Sequence, residues 1–318
     1  MQTLYIDKKG ASLDVEKARL IIREPALLKP VSVPLAHLER VVMTTETGLT
    51  SRVLFRLNEA GVTVVCLHNQ ESTAAILSGS SHRDGERRLQ QYAVVSSAEL
   101  SLMLAIDIVR LRLRGQQHVL AKALRSRPDL RLELTLARKS LAATEIQLQE
   151  RPPGNAAMLR GIEGQAAASY FSAYRQLFPN ALGFDDRNRR PPKDPVNVVL
   201  SLAFTLLHAE TLRALHAVGL DPVLGVYHTA TYGRDSLACD LDELLRADVE
   251  LWVWRMFAEQ TLLPEDFASS EHRPCELGKA GRARFYAEHA GRVRQWRRRM
   301  RRIVQHCVHN LPIWQKGG

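Results

Sequence analysis

The stretch MLRGIEGQAAASYFSAY, residues 158 to 174, places a glutamate inside an otherwise apolar helical pattern. At about 100° per residue, one face of the predicted helix collects the residues Leu159, Ala166, Ala167, Tyr170 and Tyr174. Glu163 lies at the centre of that face. An ionised carboxylate that is buried needs a cationic partner or a metal ion to compensate its charge. The pattern therefore predicts a cation facing Glu163.

Two glycines flank this glutamate within the same helix. Gly161 and Gly164 each weaken a helix by about 0.5–1 kcal/mol relative to alanine. Their presence predicts that another backbone segment or a ligand approaches closely at this point.

The rest of the chain divides into a β-rich part and a helical part. Residues 1–77 contain short runs rich in Val, Ile and Leu that are typical of strands, with a short amphipathic helix over 47–61. Residues 78–92 begin with SGSSHRDGERR, whose composition is that of a linker. Long helical patterns fill 93–318. We therefore predict an α+β multidomain protein, with a small N-terminal β domain followed by a larger all-α catalytic domain.

Composition and charge narrow the function classes. The 318 residues carry 44 Lys and Arg against 34 Asp and Glu, a formal charge of +10, which favours a polyanionic partner. No run approaches the roughly 20 apolar residues of a membrane span, and no signal peptide is evident. The four cysteines are widely spaced without a CxxC pattern. These features predict a cytoplasmic protein without a disulfide framework.

A second set of chemically active residues lies in GVYHTATYGRDSLACDLDELLR, residues 225 to 246. His228 precedes a turn-rich loop, Asp240 lies on the shoulder of the next helix's apolar stripe, and Glu243 follows on the same side. One histidine with two or three carboxylates suits Mg²⁺ or Mn²⁺. Spacing alone leaves other interpretations open, namely a structural histidine, an acid at a helix N-terminus, or pairing of Glu163 with Arg187 or Arg190.

At this point the motifs resemble those of the CRISPR-associated integrase, the metal-dependent nuclease-integrase subunit of CRISPR adaptation. LRGIEGQAAASYF is similar to the glutamate motif of that family, and RNRRPPKDPVNVVLSLAFTLL to its arginine-proline loop and following helix. GVYH and GRDSLACDLDELLR are similar to its histidine and aspartate motifs. The order of the four motifs is that of the family. Phe204 departs from the pattern, since the family often has tyrosine there.

The resemblance implies an active site and a set of partners. Catalysis and Mg²⁺ or Mn²⁺ binding would fall to Glu163, His228 and Asp240, with Glu243 as a supporting acid. The substrates would be double-stranded DNA, both a short prespacer duplex and a CRISPR repeat. The chain would form a homodimer, and a dimer of a small ferredoxin-like adaptation protein would bridge two such dimers. The 3′-hydroxyls of the duplex would attack the repeat by transesterification, with associated endonuclease activity.

Two alternatives to integration stay open in the sequence. The first is a structure-specific nuclease that cuts branched DNA with water as the nucleophile. The second is a DNA-binding scaffold without catalysis, which the intact set of ligands disfavours.

Basic residues in two segments are candidates for phosphate contacts. One set lies in the loop before Asp194, and the other in GRVRQWRRRMRR, residues 291 to 302, which contains no acid. The candidates are Arg187, Arg189, Arg190, Lys193, Arg294, Arg297, Arg298 and Arg301. Trp296, between these arginines, is predicted to pack in the core.

Overall fold

The computed structural model describes residues 2–68, 73–77, 84–188, 191–270 and 273–316. The chain separates into two compact units, Met1–His82 and Arg83–Gly318. The first contains seven strands and the second is mostly helical, which confirms the predicted fold class.

The N-terminal unit packs two sheets around one short helix. The seven strands are β1 (Gln2–Ile6), β2 (Ser12–Glu16), β3 (Arg19–Arg23), β4 (Val31–Pro34), β5 (Leu38–Met43), β6 (Thr63–His68) and β7 (Thr73–Leu77). Four of them form a sheet in the order β1-β5-β6-β7, in which only β6 and β7 run antiparallel. The antiparallel sheet β2-β3-β4 and helix α1 (Ser51–Glu59) complete the unit. Alternating Val, Ile and Leu side chains of both sheets fill its core.

The helical unit contains seven α-helices and one short hairpin among its described residues. The helices are α2 (Gly85–Ser96), α3 (Ala98–Ser126), α4 (Arg131–Glu150), α5 (Ala156–Tyr174), α6 (Pro195–Val218), α7 (Ser236–Ala258) and α8 (Lys279–Lys316). The hairpin pairs β8 (Phe267–Ser270) with β9 (Arg273–Leu277), so this unit is not entirely helical. Helix α3 packs against α4, α5 and α7, and α6 packs between α7 and α8.

Helix α6 is the central helix of this unit. The Asp194 side chain accepts a hydrogen bond from the Asn197 amide, Pro195 occupies the first turn, and Gly219 ends the helix in the left-handed conformation. The helix is long and apolar enough to cross a membrane by length and composition, yet 56% of its most apolar window is buried inside the unit. Packing against α7 and α8 accounts for its apolar character.

The predicted linker, residues 78–92, differs from the structure from Gly85 onwards, and its residues 78–83 lie outside the described residues. Helix α2 begins at Gly85, because Asp84 accepts a hydrogen bond from the Arg87 amide and so caps the helix. The helix is also anchored by Gln91, whose side chain donates to the carbonyls of Asp221 and Leu224. The polar composition of this segment therefore reflects a capped surface helix from Gly85 onwards.

Candidate metal centre

Helix α5 presents Glu163 from the middle of a packed face. Asn155 caps the helix, and its buried residues are Leu159, Ala166, Tyr170, Ala173 and Tyr174. The Glu163 side chain retains 19% exposure, so it lies at the edge of the core. A Cβ added at Gly161 or Gly164 would meet no described atom within 4 Å. No backbone segment of the described chain therefore approaches these two glycines closely, in contrast to the prediction, and the space beside them is open.

The cation that compensates Glu163 is Arg112 of helix α3. Its Nη1 donates to Glu163 Oε1, and the Tyr227 hydroxyl donates to Glu163 Oε2. Sequence reasoning proposed Arg187 or Arg190 as a protein partner, but the structure gives this role to Arg112. A signal was present, because Arg112 lies one turn from the buried residues Ile108 and Gln116 on the core stripe of α3.

Arg112 binds a second carboxylate from helix α7. Its Nε lies 3.2 Å from Glu243 Oε2, and Glu243 Oε1 accepts from Arg246 Nη1 at 2.9 Å. All four carboxylate oxygens of Glu163 and Glu243 thus face protein donors. The two acids, predicted from separate motifs, converge on one guanidinium whose side chain is only 10% exposed.

Asp240 is fully buried and serves a different set of donors. Its Oδ2 accepts from the amides of Val226 and Tyr227 at 2.7 and 3.1 Å. Its Oδ1 accepts from the His228 amide at 2.9 Å and lies 2.7 Å from His228 Nδ1. The carboxylate therefore shapes the 226–228 segment and fixes the imidazole. Because Nδ1 donates to Asp240, the lone pair lies on Nε2, for which no partner is found among the described residues.

Close packing holds this segment against the start of α7. A Cβ added at Gly225 would lie 2.5 Å from Asp240 Oδ2 and 2.7 Å from the carbonyl carbon of Ser236. Ser236 in turn donates its hydroxyl to the Thr229 carbonyl at 3.1 Å. The loop that carries His228 can approach Asp240 because position 225 has no side chain.

The buried charges continue from the candidate site along α7. Arg246 Nε lies 3.4 Å from Oε1 of Glu250, which is fully buried, and the Arg246 guanidinium stacks 4.6 Å from the centre of the Phe204 ring. Burial raises the pKa of Glu250, an effect that Arg246 and Arg112 oppose. Burial also opposes the charge of Arg112, but Glu243, Glu163 and Glu250 together raise its pKa. The guanidinium of Arg112 is therefore held charged by three acids.

The fit of a divalent metal depends on this donor set. Within the described parts of the chain, no three His, Cys, Asp or Glu side chains stand close enough together to hold a metal ion as they are placed. The chemistry nevertheless fits Mg²⁺ or Mn²⁺, because Glu163 and Glu243 supply oxygens on one guanidinium and His228 is locked in a ligating tautomer. The resemblance implies Asp240 as a ligand, but its two oxygens already accept four hydrogen bonds, whereas Glu243 lies beside Glu163.

A second charged cluster ties α6 to the start of α7. His208 Nδ1 lies 2.7 Å from Asp242 Oδ2, and its Nε2 lies 3.3 Å from Asp235 Oδ2. Thr211 donates to Asp242 Oδ1 at 2.5 Å. Burial disfavours the imidazolium, but the hydrogen bonds to Asp235 and Asp242 outweigh it and raise the pKa of His208 to about 10. This cluster holds the helix that carries Asp240 and Glu243.

The basic loop before α6 contributes fewer exposed cations than its sequence suggested. Arg187 donates to Asn197 Oδ1 at 2.6 Å and to the Ser201 hydroxyl at 3.2 Å, so its guanidinium braces the loop against α6. Lys193 is exposed. Arg189 and Arg190 lie outside the described residues.

Helix α8 divides its arginines between core and surface. Arg297 is buried and its Nε donates to Glu210 Oε1 at 2.6 Å, so its predicted DNA contact gives way to a buried ion pair. Trp296 is buried beside it, as predicted. Of the predicted contacts, Arg294, Arg298 and Arg301 are exposed, as are Arg284 and Arg302 of the same helix. Phosphate contacts from this helix are therefore expected from its exposed face only.

Comparison with known proteins agrees with the motifs. The family model described as CRISPR associated protein Cas1 matches residues 4–290. The CRISPR-associated endonuclease Cas1 1 of Thermodesulfovibrio yellowstonii is 37% identical over 313 residues, covering 96% of this chain and 95% of the relative. The CRISPR-associated endonuclease Cas1 3 of Thermus thermophilus is 32% identical over 308 residues, covering 95% of this chain and 83% of the relative.

Solved structures share the fold. A casposase bound to integration product aligns with a TM-score of 0.84 at 21% identity, over 98% of this chain and 90% of the casposase. A Cas1 protein from Thermotoga maritima aligns with a TM-score of 0.83 at 20% identity, over 98% of this chain and 97% of that protein. The family match, which spans most of the sequence, and the two close relatives show that this chain belongs to the CRISPR-associated Cas1 family of endonucleases and integrases.

Proposed function

We propose that the chain is a metal-dependent DNA integrase that inserts short DNA duplexes into a CRISPR array, with an associated endonuclease activity. The observation that carries this proposal is the convergence of Glu163 and Glu243, from α5 and α7, on one buried guanidinium. Membership of the Cas1 family supports it, as does the likeness in fold to a casposase bound to integration product.

The proposed metal ligands are Glu163, Glu243 and Nε2 of His228. Asp240 positions His228, because its hydrogen bonds fix the backbone of 226–228 and the tautomer of the imidazole. This assignment exchanges the roles that the resemblance implies for Asp240 and Glu243. When bound, Mg²⁺ or Mn²⁺ would polarise a phosphoryl oxygen and favour the deprotonated form of the attacking hydroxyl.

The proposed reaction exchanges one phosphodiester for another. A 3′-hydroxyl of the incoming duplex loses its proton and bonds to the phosphorus at the edge of a repeat, and the opposite P–O bond breaks to release a new 3′-hydroxyl. One phosphodiester forms for each one broken, so no external energy source is required. The protein contributes position and charge, and its exposed arginines on α8 would hold the DNA backbone.

The proposed partners follow the same pattern. The chain would act as a homodimer, two of which are bridged by a dimer of a small ferredoxin-like adaptation protein. Support comes from the likeness in fold to Cas6-RT-Cas1–Cas2 complexes and to a TtCas1–DNA complex.

A strand-transfer assay tests the proposal. A labelled short duplex with free 3′-hydroxyls is mixed with supercoiled plasmid carrying a repeat, with Mn²⁺ or Mg²⁺, and with or without the small partner. We expect metal-dependent joining of label to plasmid by the wild-type protein, and its loss in Glu163→Gln and Glu243→Gln. Glu145→Gln is the matched control, because this carboxylate has a similar exposure of 17% and, in the described chain, binds Arg114 and Gln117 of α3 and neither Glu163 nor Glu243.

Each other outcome has a definite meaning. Joining by Glu163→Gln at the wild-type rate contradicts the proposed site. Nicking of the plasmid that requires metal, without joining, favours a nuclease that uses water as its nucleophile. Binding of DNA without either reaction favours the scaffold alternative.

A further inference from the structure

Arg112 occupies the place where the two acidic ligands meet. Its Nη1 binds Glu163 and its Nε lies 3.2 Å from Glu243, so one planar guanidinium spans carboxylates from two helices. The remaining oxygens of the two acids face Tyr227 and Arg246. Each oxygen of the two acids therefore faces a hydrogen-bonding or ion-pairing group among the described residues. A dication that binds both acids must therefore displace at least one of these donors or share an oxygen with it.

Arg112 is the donor that a dication displaces most readily on electrostatic grounds. The Tyr227 hydroxyl is an uncharged donor that binds Glu163, so it brings no positive charge next to the ion. Arg246 touches Glu243 alone of the two acids and also pairs with Glu250. Arg112 touches both acids, and its charge would lie next to the charge of the ion.

A second acceptor for Arg112 lies within the same cluster. Glu250 is buried beside the Tyr170 hydroxyl, and its Oε1 lies 3.4 Å from Arg246 Nε. Neither of its carboxylate oxygens accepts a hydrogen bond of good geometry from a described residue, so both can take a further donor. Glu250 and Arg112 interact electrostatically, so the two side chains belong to one cluster of charges. The Arg112 side chain is only 10% exposed, so a displaced guanidinium needs an acceptor inside the unit, and Glu250 is the further acid of this cluster.

We propose that Arg112 is a built-in competitor of the metal ion, which holds Glu163 and Glu243 together in the metal-free protein and moves to Glu250 when a dication binds. The inference rests on the proposed metal site. It makes Arg112 a positioning residue, since the guanidinium prevents repulsion between two acids that would otherwise lose their arrangement before the metal arrives. The same contact lowers the affinity for the metal, because binding must break it.

Mn²⁺ binding by the purified full chain, measured by titration calorimetry, tests the inference without reference to activity. We expect Arg112→Gln to lower the Kd for Mn²⁺ by about tenfold or more, because the competing charge is gone. The metal-free variant should melt at a lower temperature than the wild type, and Mn²⁺ should raise its melting temperature by more. Arg110→Gln is the control, since Arg110 lies on the same helix and binds Asp107 and Gln149 instead.

Two further variants separate the possible failures. Glu163→Gln in the Arg112→Gln background should abolish the tight binding, which assigns it to this site. Glu250→Gln should weaken Mn²⁺ binding in the wild type and have little effect in the Arg112→Gln background, because the moving guanidinium is then absent. Arg112→Lys keeps the positive charge but loses the planar guanidinium that binds two carboxylates, so it should give an intermediate Kd for Mn²⁺. This variant replaces Arg112→Gln in the test if Arg112→Gln does not fold.

The results that overturn the inference differ from those that overturn the site. A Kd in Arg112→Gln that equals or exceeds the wild-type value, with binding still abolished by Glu163→Gln, would show that Arg112 does not compete and would leave the metal site intact. Equal effects of Glu250→Gln in both backgrounds would remove Glu250 as the acceptor. Absence of binding that depends on Glu163, in every variant, would overturn the metal site and the competition together.

Discussion

Replacing Asp240 by asparagine should destabilise the helical unit severely and by a mechanism that can be traced to single atoms. Asp240 accepts four hydrogen bonds, two on each oxygen, and asparagine offers one carbonyl oxygen and one NH₂ group. If the NH₂ replaces Oδ2, it faces the amides of Val226 and Tyr227. If it replaces Oδ1, it faces the His228 amide, and the imidazole can accept only by moving its proton to Nε2.

The magnitude follows from these lost bonds. Either orientation leaves at least one buried backbone N–H without an acceptor, at about 1–3 kcal/mol each, and weakens bonds that the ionised carboxylate made stronger. We therefore expect the free energy of unfolding to fall by about 3–5 kcal/mol. This is a large fraction of the 5–15 kcal/mol that is typical of folded domains.

Urea unfolding of the metal-free protein, followed by tryptophan fluorescence, measures this change. Trp252, Trp254 and Trp296 are buried in the helical unit and report its unfolding. Asp248→Asn is the matched control on the same helix, because Asp248 pairs with Arg299 at a partly exposed position and should change the unfolding free energy by about 1 kcal/mol or less. A change of less than about 1 kcal/mol in Asp240→Asn would refute the positioning role assigned to Asp240.

Three further perturbations test other parts of the helical unit. The pKa of His208 is raised from 6.5 to about 10, so the imidazolium stabilises the fold fully below about pH 6.5 and loses this effect as the pH rises to about 10. In urea titrations, the difference in free energy of unfolding between wild type and His208→Gln should therefore shrink over that range. A difference that stays constant with pH would contradict this prediction. Arg297→Gln should lower the free energy of unfolding by about 3 kcal/mol and leave the salt dependence of DNA binding unchanged, because Arg297 is buried in an ion pair. Arg298→Gln should leave stability unchanged and reduce the slope of log affinity for DNA against log salt concentration by about 0.9, because Arg298 is exposed. The reverse pattern would exchange their roles. A Cβ at Gly115 would lie 2.8 Å from the Ala247 Cβ. Gly115→Ala should therefore lower the free energy of unfolding by about 1–3 kcal/mol, because it overpacks α3 against α7. A melting temperature at or above the wild-type value would exclude that clash.

The sequence allowed prediction of the two-part architecture and of the segments that build the site. Short runs rich in Val, Ile and Leu indicated the strands of the N-terminal unit. The motif around Glu163 was found because a charge interrupts an apolar stripe. The same criterion applied to α3 makes Arg112 one candidate among several arginines, because periodicity alone does not say which of them faces an acid.

The roles of Asp240 and Glu243 could not be separated from their spacing. The two residues lie three apart and share one side of α7, so both are plausible ligands in a helical projection. Their difference comes from the backbone of residues 226–228, which folds over Asp240 and saturates it with hydrogen bonds. Such a contact depends on tertiary structure and leaves no periodic trace. The ion pair of Arg297 with Glu210, 87 residues away in sequence, escaped prediction for the same reason.

The close approach at Gly225 has a consequence for how mutational data on this chain are interpreted. Any side chain at position 225 would collide with Asp240 Oδ2 and with the backbone of Ser236, and both of these are rigidly held. A variant library scored for the proposed integration activity would therefore rank Gly225 with the proposed ligand positions, although glycine has no functional group. Engineering of the candidate site should leave this position fixed and vary Gly161 and Gly164, where an added Cβ would meet no described atom within 4 Å.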